Sequence, residues 1–185
     1  MTAITCQQAW RNMTQQSQSQ SLRNYTQRLA MDDYLVETEL FPKAVLEAYT
    51  AWNLELPLSD EQTQFFNAER GGGQGDYRSG MRNKIANVVD CLSRFPQSKR
   101  AIITISNSPS PCHTSDDDAK CLRELHFYIE DNKLNASCLF RAQAALIFPK
   151  NIHFIGALMA EIAQSLAIPV GTLFYCATIL VSDRS

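Results

Sequence analysis

The chain is 185 residues long, 45% of them hydrophobic, with 17 Lys and Arg against 19 Asp and Glu. That length suits a single domain over residues 1–185 sharing one core, and a formal charge of −2 excludes any general attraction to a nucleic-acid backbone or an anionic membrane. The polar start MTAITCQQAWRNMTQQSQSQ has no signal-peptide core and no apolar run reads as a membrane span, so a cytoplasmic protein without membrane contact is expected. With no export signal, the six cysteines read as free thiols rather than a disulfide framework.

Residues 1–21 end in QQSQSQS, too polar to offset the entropy of ordering, and are expected to be mobile. Phe41, Val45, Tyr49 and Trp52 then recur at helical spacing after Pro42, which a first turn tolerates. Five of the seven glycines fall between Gly71 and Gly80, a density that only an irregular loop accommodates. The loop lacks the Gly-Lys-Ser/Thr of a phosphate loop and follows no buried strand, so a surface loop is the simpler reading; Arg70, Arg78 and Arg82 keep anion contact open. Ile85, Val88, Val89, Leu92 and Phe95 mark a second amphipathic helix stopped by Pro96, and Ala101 to Ile105 a short buried strand. From Ser106 to Lys120 the Pro, Ser and Asp content predicts a loop, with Asp116 to Asp118 a solvated turn. Leu125 to Ile129 and Leu134 to Arg141 read as strands joined by a tight turn at Asp131-Asn132. Alternation puts Cys138 and Phe140 on one face of the second strand, with Asn135, Ser137, Leu139 and Arg141 on the other. A helix from near Asn151 to Leu166 and an apolar strand over Val170 to Val181 complete an α/β (α+β) pattern.

Among residues able to carry chemistry, Cys121 is the candidate nucleophile. It lies just before an apolar strand with Lys120 and Arg123 beside it, and nearby cations favour the attacking thiolate. On spacing alone a small buried core thiol is the commoner outcome. Cys112, His113, Cys121, His126 and Cys138 reproduce no compact zinc spacing, so no metal is expected.

Several segments carry a resemblance. Tyr77 and Arg82 in YRSGMR, the basic pair in PQSKRAIITISN, the hairpin CLRELHFYIEDNKLNASCLFRA and the helix FPKNIHFIGALMAEIAQSLAIPVG follow one another from Tyr77 to Gly171, about half the chain. Together they resemble the thymidylate synthase and deoxycytidylate hydroxymethylase superfamily. KAVLEAYTAW is a weaker echo that puts Glu47 in the place of that family's catalytic glutamate.

The resemblance implies a thymidylate synthase-type sheet covered by helices, with the sheets of two subunits packed face to face in a homodimer. It implies a thiolate adding to C6 of a pyrimidine nucleotide, a small-molecule substrate, and transfer of a one-carbon unit from 5,10-methylenetetrahydrofolate to C5. Cys121 is then the nucleophile and Glu47 its catalytic partner. Arg141 becomes a phosphate ligand, Lys99 and Arg100 ligands donated across the dimer, and Tyr77 and Arg82 further substrate-site residues. Asn151 faces the base edge, or else caps its helix, a position Asn favours. Pro111-Cys112-His113 spells the family's Pro-Cys-His, but Cys121 keeps the family spacing to Phe127 and Arg141 without a gap.

The departures define the alternatives. Leu122 stands where the family has histidine, and Ala142, Gln143 and Ala144 replace its Ser-x-Asp. The family's continuation beyond VSDRS, a His-x-Tyr and a closing segment, is not found, so ordinary thymidylate synthesis is not expected. Two readings follow: a divergent transferase acting through Cys121, or a catalytically silent dimer of the same fold that keeps nucleotide or phosphate binding or serves only as a scaffold.

Overall fold

In a computed structural model describing residues 2–70, 75–105, 108, 110, 112, 114 and 119–183, the frame is a hairpin of β4 (Leu122–Glu130) and β5 (Lys133–Phe140). Asp131 and Asn132 both take positive φ, 52° and 56°. These are the left-handed conformations of a two-residue turn whose twist matches the flanking strands. β7 (Val170–Val181) runs parallel to β5 and antiparallel to β2 (Leu22–Ala30), while β3 (Ile102–Thr104) closes the far edge against β4. With β1 (Ile4–Thr5) beside β2 and β6 (Gln143–Ala144) on β7, the described residues form a seven-stranded open mixed sheet.

The helices are α1 (Cys6–Ser17), α2 (Lys43–Asn53), the short α3 (Asp60–Thr63), α4 (Met81–Arg94) and α5 (Phe148–Ser165), the last entered through a 3-10 turn over Ala145–Ile147. One sheet face packs against them: Leu125, Phe127, Leu134, Ala136, Leu173 and Tyr175 alternate inward and are fully buried. Among the described residues the other face is uncovered. It carries the cross-strand row Ile102, His126, Ser137, Phe174 and Arg28, and beside it the row Glu124, Leu139, Cys176 and Thr26. Ile102 and Leu139 are exposed there, at 40% and 39%.

The structure departs from the expected pattern at the N-terminus, where residues 4–17 form β1 and α1. Cys6, Ala9 and Met13 recur on one helix face and are fully buried, so three small or flexible apolar residues anchor a helix that glutamine-rich composition disguises. α5 begins three residues before Asn151, and together with the 3-10 turn its apolar stretch reaches 21 residues, long enough to cross a membrane by length and composition. Its most apolar window is 72% buried in the fold, as in a core helix. The expected turn at Asp116–Asp118 and most of the glycine run lie outside the described residues.

Candidate functional site

Antiparallel pairing of β4 and β5 brings their open ends together, and this is what joins Cys121 to Arg141. The Arg141 backbone N–H donates to the Cys121 carbonyl at 2.8 Å, and its Nε donates to the Ala119 carbonyl at 2.7 Å. The guanidinium is therefore folded across the loop that carries the half-buried thiol.

Three buried tyrosines lie within electrostatic reach of this corner. Tyr77 is buried, its ring stacked on Phe154 at 6.0 Å, with the Leu122 backbone N–H directed at its oxygen. Its backbone N–H donates to Asn53 Oδ1 at 2.7 Å, while Asn53 Nδ2 donates to the Tyr49 carbonyl, so one fully buried amide ties α2 to the Tyr77 loop. The Tyr49 hydroxyl donates to the Gly75 carbonyl. Gly75 takes φ +78°, and a Cβ there would lie 2.3 Å from the Tyr49 oxygen, so only glycine fits. Tyr175 extends from β7. Burial pushes all three phenols above their ordinary range, and the Cys121 thiol contributes to each shift. At neutral pH they are uncharged hydrogen-bonding groups.

The start of α5 adds two buried polar side chains. Lys150 donates to the Arg70 carbonyl at 3.0 Å and lies 4.6 Å from the Tyr49 ring centroid, a cation over an aromatic face. Asn151 is 2% exposed and sits inside α5, so it is not the helix cap; its Nδ2 donates to Gln143 Oε1 at 2.9 Å. The same oxygen accepts from the Tyr175 hydroxyl at 2.7 Å.

Of the residues singled out in the sequence, Cys121, Arg141, Tyr77 and Asn151 are thus linked through one polar neighbourhood. Others lie elsewhere in the chain. Glu47 is on the outer face of α2, its side chain 53% exposed and 3.7 Å from Lys43. It borders a groove with Asp32, Tyr34, Thr50 and His153, a set that does not include Cys121; on α2 it is Tyr49 that feels the thiol. Arg82 forms a two-pronged pair with Glu161, and its backbone N–H and that of Gly80 are capped by the Glu55 carboxylate, which explains how a helix starts after a left-handed glycine. Burial is minor for Glu55, and those N–H groups hold its carboxyl below the usual range. Lys99 lines a groove with His126 and Tyr128 at the margin of the uncovered sheet face, and Arg100 is exposed beside it. Of the amino-terminal arginines, Arg28 Nη1 reaches Thr172 Oγ1 at 3.4 Å and Arg23 is exposed.

The other cysteines differ in chemistry. Burial pushes the Cys6 thiol up to about 12 and that of Cys138 higher still. Cys112 is exposed, and hydrogen bonding from Thr114 pulls its thiol down. Among the described residues no cluster of three or more His, Cys, Asp or Glu could hold a metal.

His153 gives a pH signature separate from the thiol. Its Nδ1 lies 2.7 Å from Thr50 Oγ1, and burial lowers its pKa below 6.5 despite Glu47 nearby. The folded state then binds fewer protons than the unfolded state, so this stability is present above about pH 6.5 and lost as pH falls toward the depressed value. Denaturant midpoints should fall between about pH 7.5 and 5.5, with a smaller fall in His153→Asn.

Asn53, Lys150 and Tyr175 were not singled out from the sequence, and Gln143 was noted only as a departure from the family's Ser-x-Asp; a polar residue inside an apolar run, as in FPKNIHF, is the signal that marks Lys150. Known protein-family models yield no match to this chain, and no curated protein matches it.

Proposed function

We propose that the chain is a divergent thymidylate synthase-like enzyme that adds the Cys121 thiolate to C6 of a pyrimidine nucleotide or related heterocycle and activates C5. The supporting observation is the juxtaposition of Cys121 and Arg141 across the open end of the hairpin, with buried, neutral tyrosines within electrostatic reach. Positive charge beside a thiol favours the thiolate, and a guanidinium fork suits a dianionic phosphate.

The electron count closes without a second substrate. As sulfur bonds to C6, the C5=C6 electron pair moves onto C5 and the group at C4, and C5 takes a proton from water. Loss of the original C5 hydrogen as a proton restores the double bond and expels the thiolate. The net result is hydrogen exchange at C5. A reduced folate finds no support in Glu47, which borders the other groove, so no step is routed through one.

Glu47's position and the commitment of Arg82 to Glu161 favour the second reading, a silent fold that binds a nucleotide or phosphate without turnover. Tritium release from C5-labelled deoxyuridylate and deoxycytidylate separates the two. Release above the solvent blank supports the enzyme; binding by calorimetry without release supports the silent protein. Neither release nor binding at millimolar ligand removes pyrimidine-nucleotide chemistry altogether.

The same reading makes the chain a homodimer, with the uncovered sheet face as its interface and Lys99 and Arg100 offered to the partner's phosphate site. Sedimentation at micromolar concentration should give a dimer, and Leu139→Glu, which places a carboxylate in that face, should shift it to monomer. A monomeric wild type would remove the shared site.

A further inference from the structure

A groove that does not include Cys121 lies between α2, α5 and the segment over residues 32–35. Its cavity volume is about 560 Å³, room for a small organic molecule. Packing fixes its wall. Gly156, in the middle of α5, lets Tyr34 lie against that helix, where a Cβ would meet Tyr34 Cγ at 2.1 Å. The Tyr34 ring then stands edge-on to His153, with the ring centroids 5.3 Å apart. On either side of Tyr34, the Asp33 carboxylate accepts from the Leu35 backbone N–H at 3.1 Å and holds the turn.

His153 lines this groove and is 8% exposed. Its Nδ1 lies 2.7 Å from Thr50 Oγ1, and among the described residues the buried Thr50 hydroxyl has no other partner. The hydroxyl proton is satisfied only when Thr50 donates to Nδ1. The neutral imidazole then carries its own proton on Nε2. Nε2 has no partner among the described residues, so the ring brings to the groove an N–H donor without an acceptor.

The charge around it is one-sided. Asp32, Asp33 and Glu47 line the groove against one cation, Lys43, whose ammonium is 3.7 Å from Glu47 with both side chains more than half exposed. An exposed pair of that kind is weak, and the excess of carboxylates favours a positive ligand. Among the described residues no three His, Cys, Asp or Glu are placed to hold a metal, so an organic cation fits better than a metal ion. Leu35, Ala51, Leu56 and Ala157 supply apolar surface beside the charges.

We propose that this groove binds a small organic ammonium that also carries a neutral oxygen and an apolar chain, an amino-alcohol type of ligand. The ammonium faces the carboxylates, and the oxygen accepts from His153 Nε2–H. The chain covers the apolar surface between α2 and α5. A carboxylate in place of the hydroxyl would be repelled by Asp32, Asp33 and Glu47. The proposal is independent of the nucleotide reading, because Cys121 does not line this groove.

Calorimetry of the full chain with leucinol tests this, beside isohexyl alcohol, which lacks the ammonium, and isoamylamine, which lacks the hydroxyl. Leucinol is expected to bind about tenfold more tightly than either. His153→Asn can still take the Thr50 proton on its amide oxygen but has nothing at the place of Nε2. It should bring leucinol within about threefold of isoamylamine while the isoamylamine affinity stays nearly unchanged. Isohexyl alcohol binding as tightly as leucinol overturns the cation assignment, and isoamylamine doing so overturns the His153 contact. No leucinol binding at millimolar concentration overturns the site. If His153→Asn does not fold, Ala157→Leu, which fills the groove from α5, should abolish leucinol binding; unchanged binding there places leucinol elsewhere and also overturns the proposal. Tritium release from C5-labelled nucleotides is read separately, so failure here leaves the nucleotide reading standing.

Discussion

Cys121→Ser should lower C5 tritium release by about three orders of magnitude or more, to the solvent blank, while nucleotide affinity changes by no more than about threefold. The serine hydroxyl is too weak an acid to supply the attacking anion, yet it replaces sulfur without removing a phosphate or base contact. Labelling speed is the wrong measure of this thiol's role. Cys112 is exposed with its thiol pulled down by Thr114, so it should alkylate early whatever its function. Protection is the informative readout: peptide mapping after iodoacetamide should show nucleotide shielding Cys121 and leaving Cys112 unaffected. Exchange that survives in Cys121→Ser and disappears in Cys112→Ser would move the nucleophile to Cys112.

Arg141→Ala should weaken binding itself, by about one to two decades in affinity, corresponding to roughly 1.5–3 kcal/mol for a lost charge-assisted contact. The loss should be much smaller for the nucleoside, which has no phosphate to pair. Arg141 also organises its own loop through the Ala119 carbonyl, so a purely structural effect must be separated from a phosphate effect. Comparison of nucleotide and nucleoside does so. Equal losses for both would make Arg141 a loop-ordering residue, whereas a loss confined to the phosphate-bearing ligand identifies the contact. Arg141→Lys should recover part of the affinity, because it restores charge without the bidentate fork.

How much of this was legible depended on whether local pattern or chain return produced the feature. The β4–β5 hairpin followed from alternation plus Asp131-Asn132, residues that tolerate left-handed backbone, and β7 coincides with its apolar run. α2, α4 and β3 likewise follow from apolar spacing and the stop at Pro96. α1 was hidden because its buried stripe of Cys6, Ala9 and Met13 is thin and embedded in glutamines, and β2 because it carries mixed polarity beside one fully buried leucine. Both are stabilised by what they pack against rather than by their own composition.

For the candidate site, the sequence by itself determined the residue types and one local pairing: a hairpin of that length returns Arg141 to Cys121. It could not determine which charges remain available, because that depends on partners distant in the chain. Arg82 is engaged by Glu161, far along the chain, through side-chain geometry that only the packed helices impose, and Asn151 is held by Gln143 of β6. Helical periodicity assigns a residue to a face, but the neighbour on that face comes from another element. The tertiary structure therefore decided the polar neighbourhood of the thiol, from Tyr49 and Asn53 on α2 to Tyr175 on β7, by bringing buried groups to partners more than twenty residues away. Hydrogen bonding in a dry interior is satisfied in space, and no local window of sequence records that constraint.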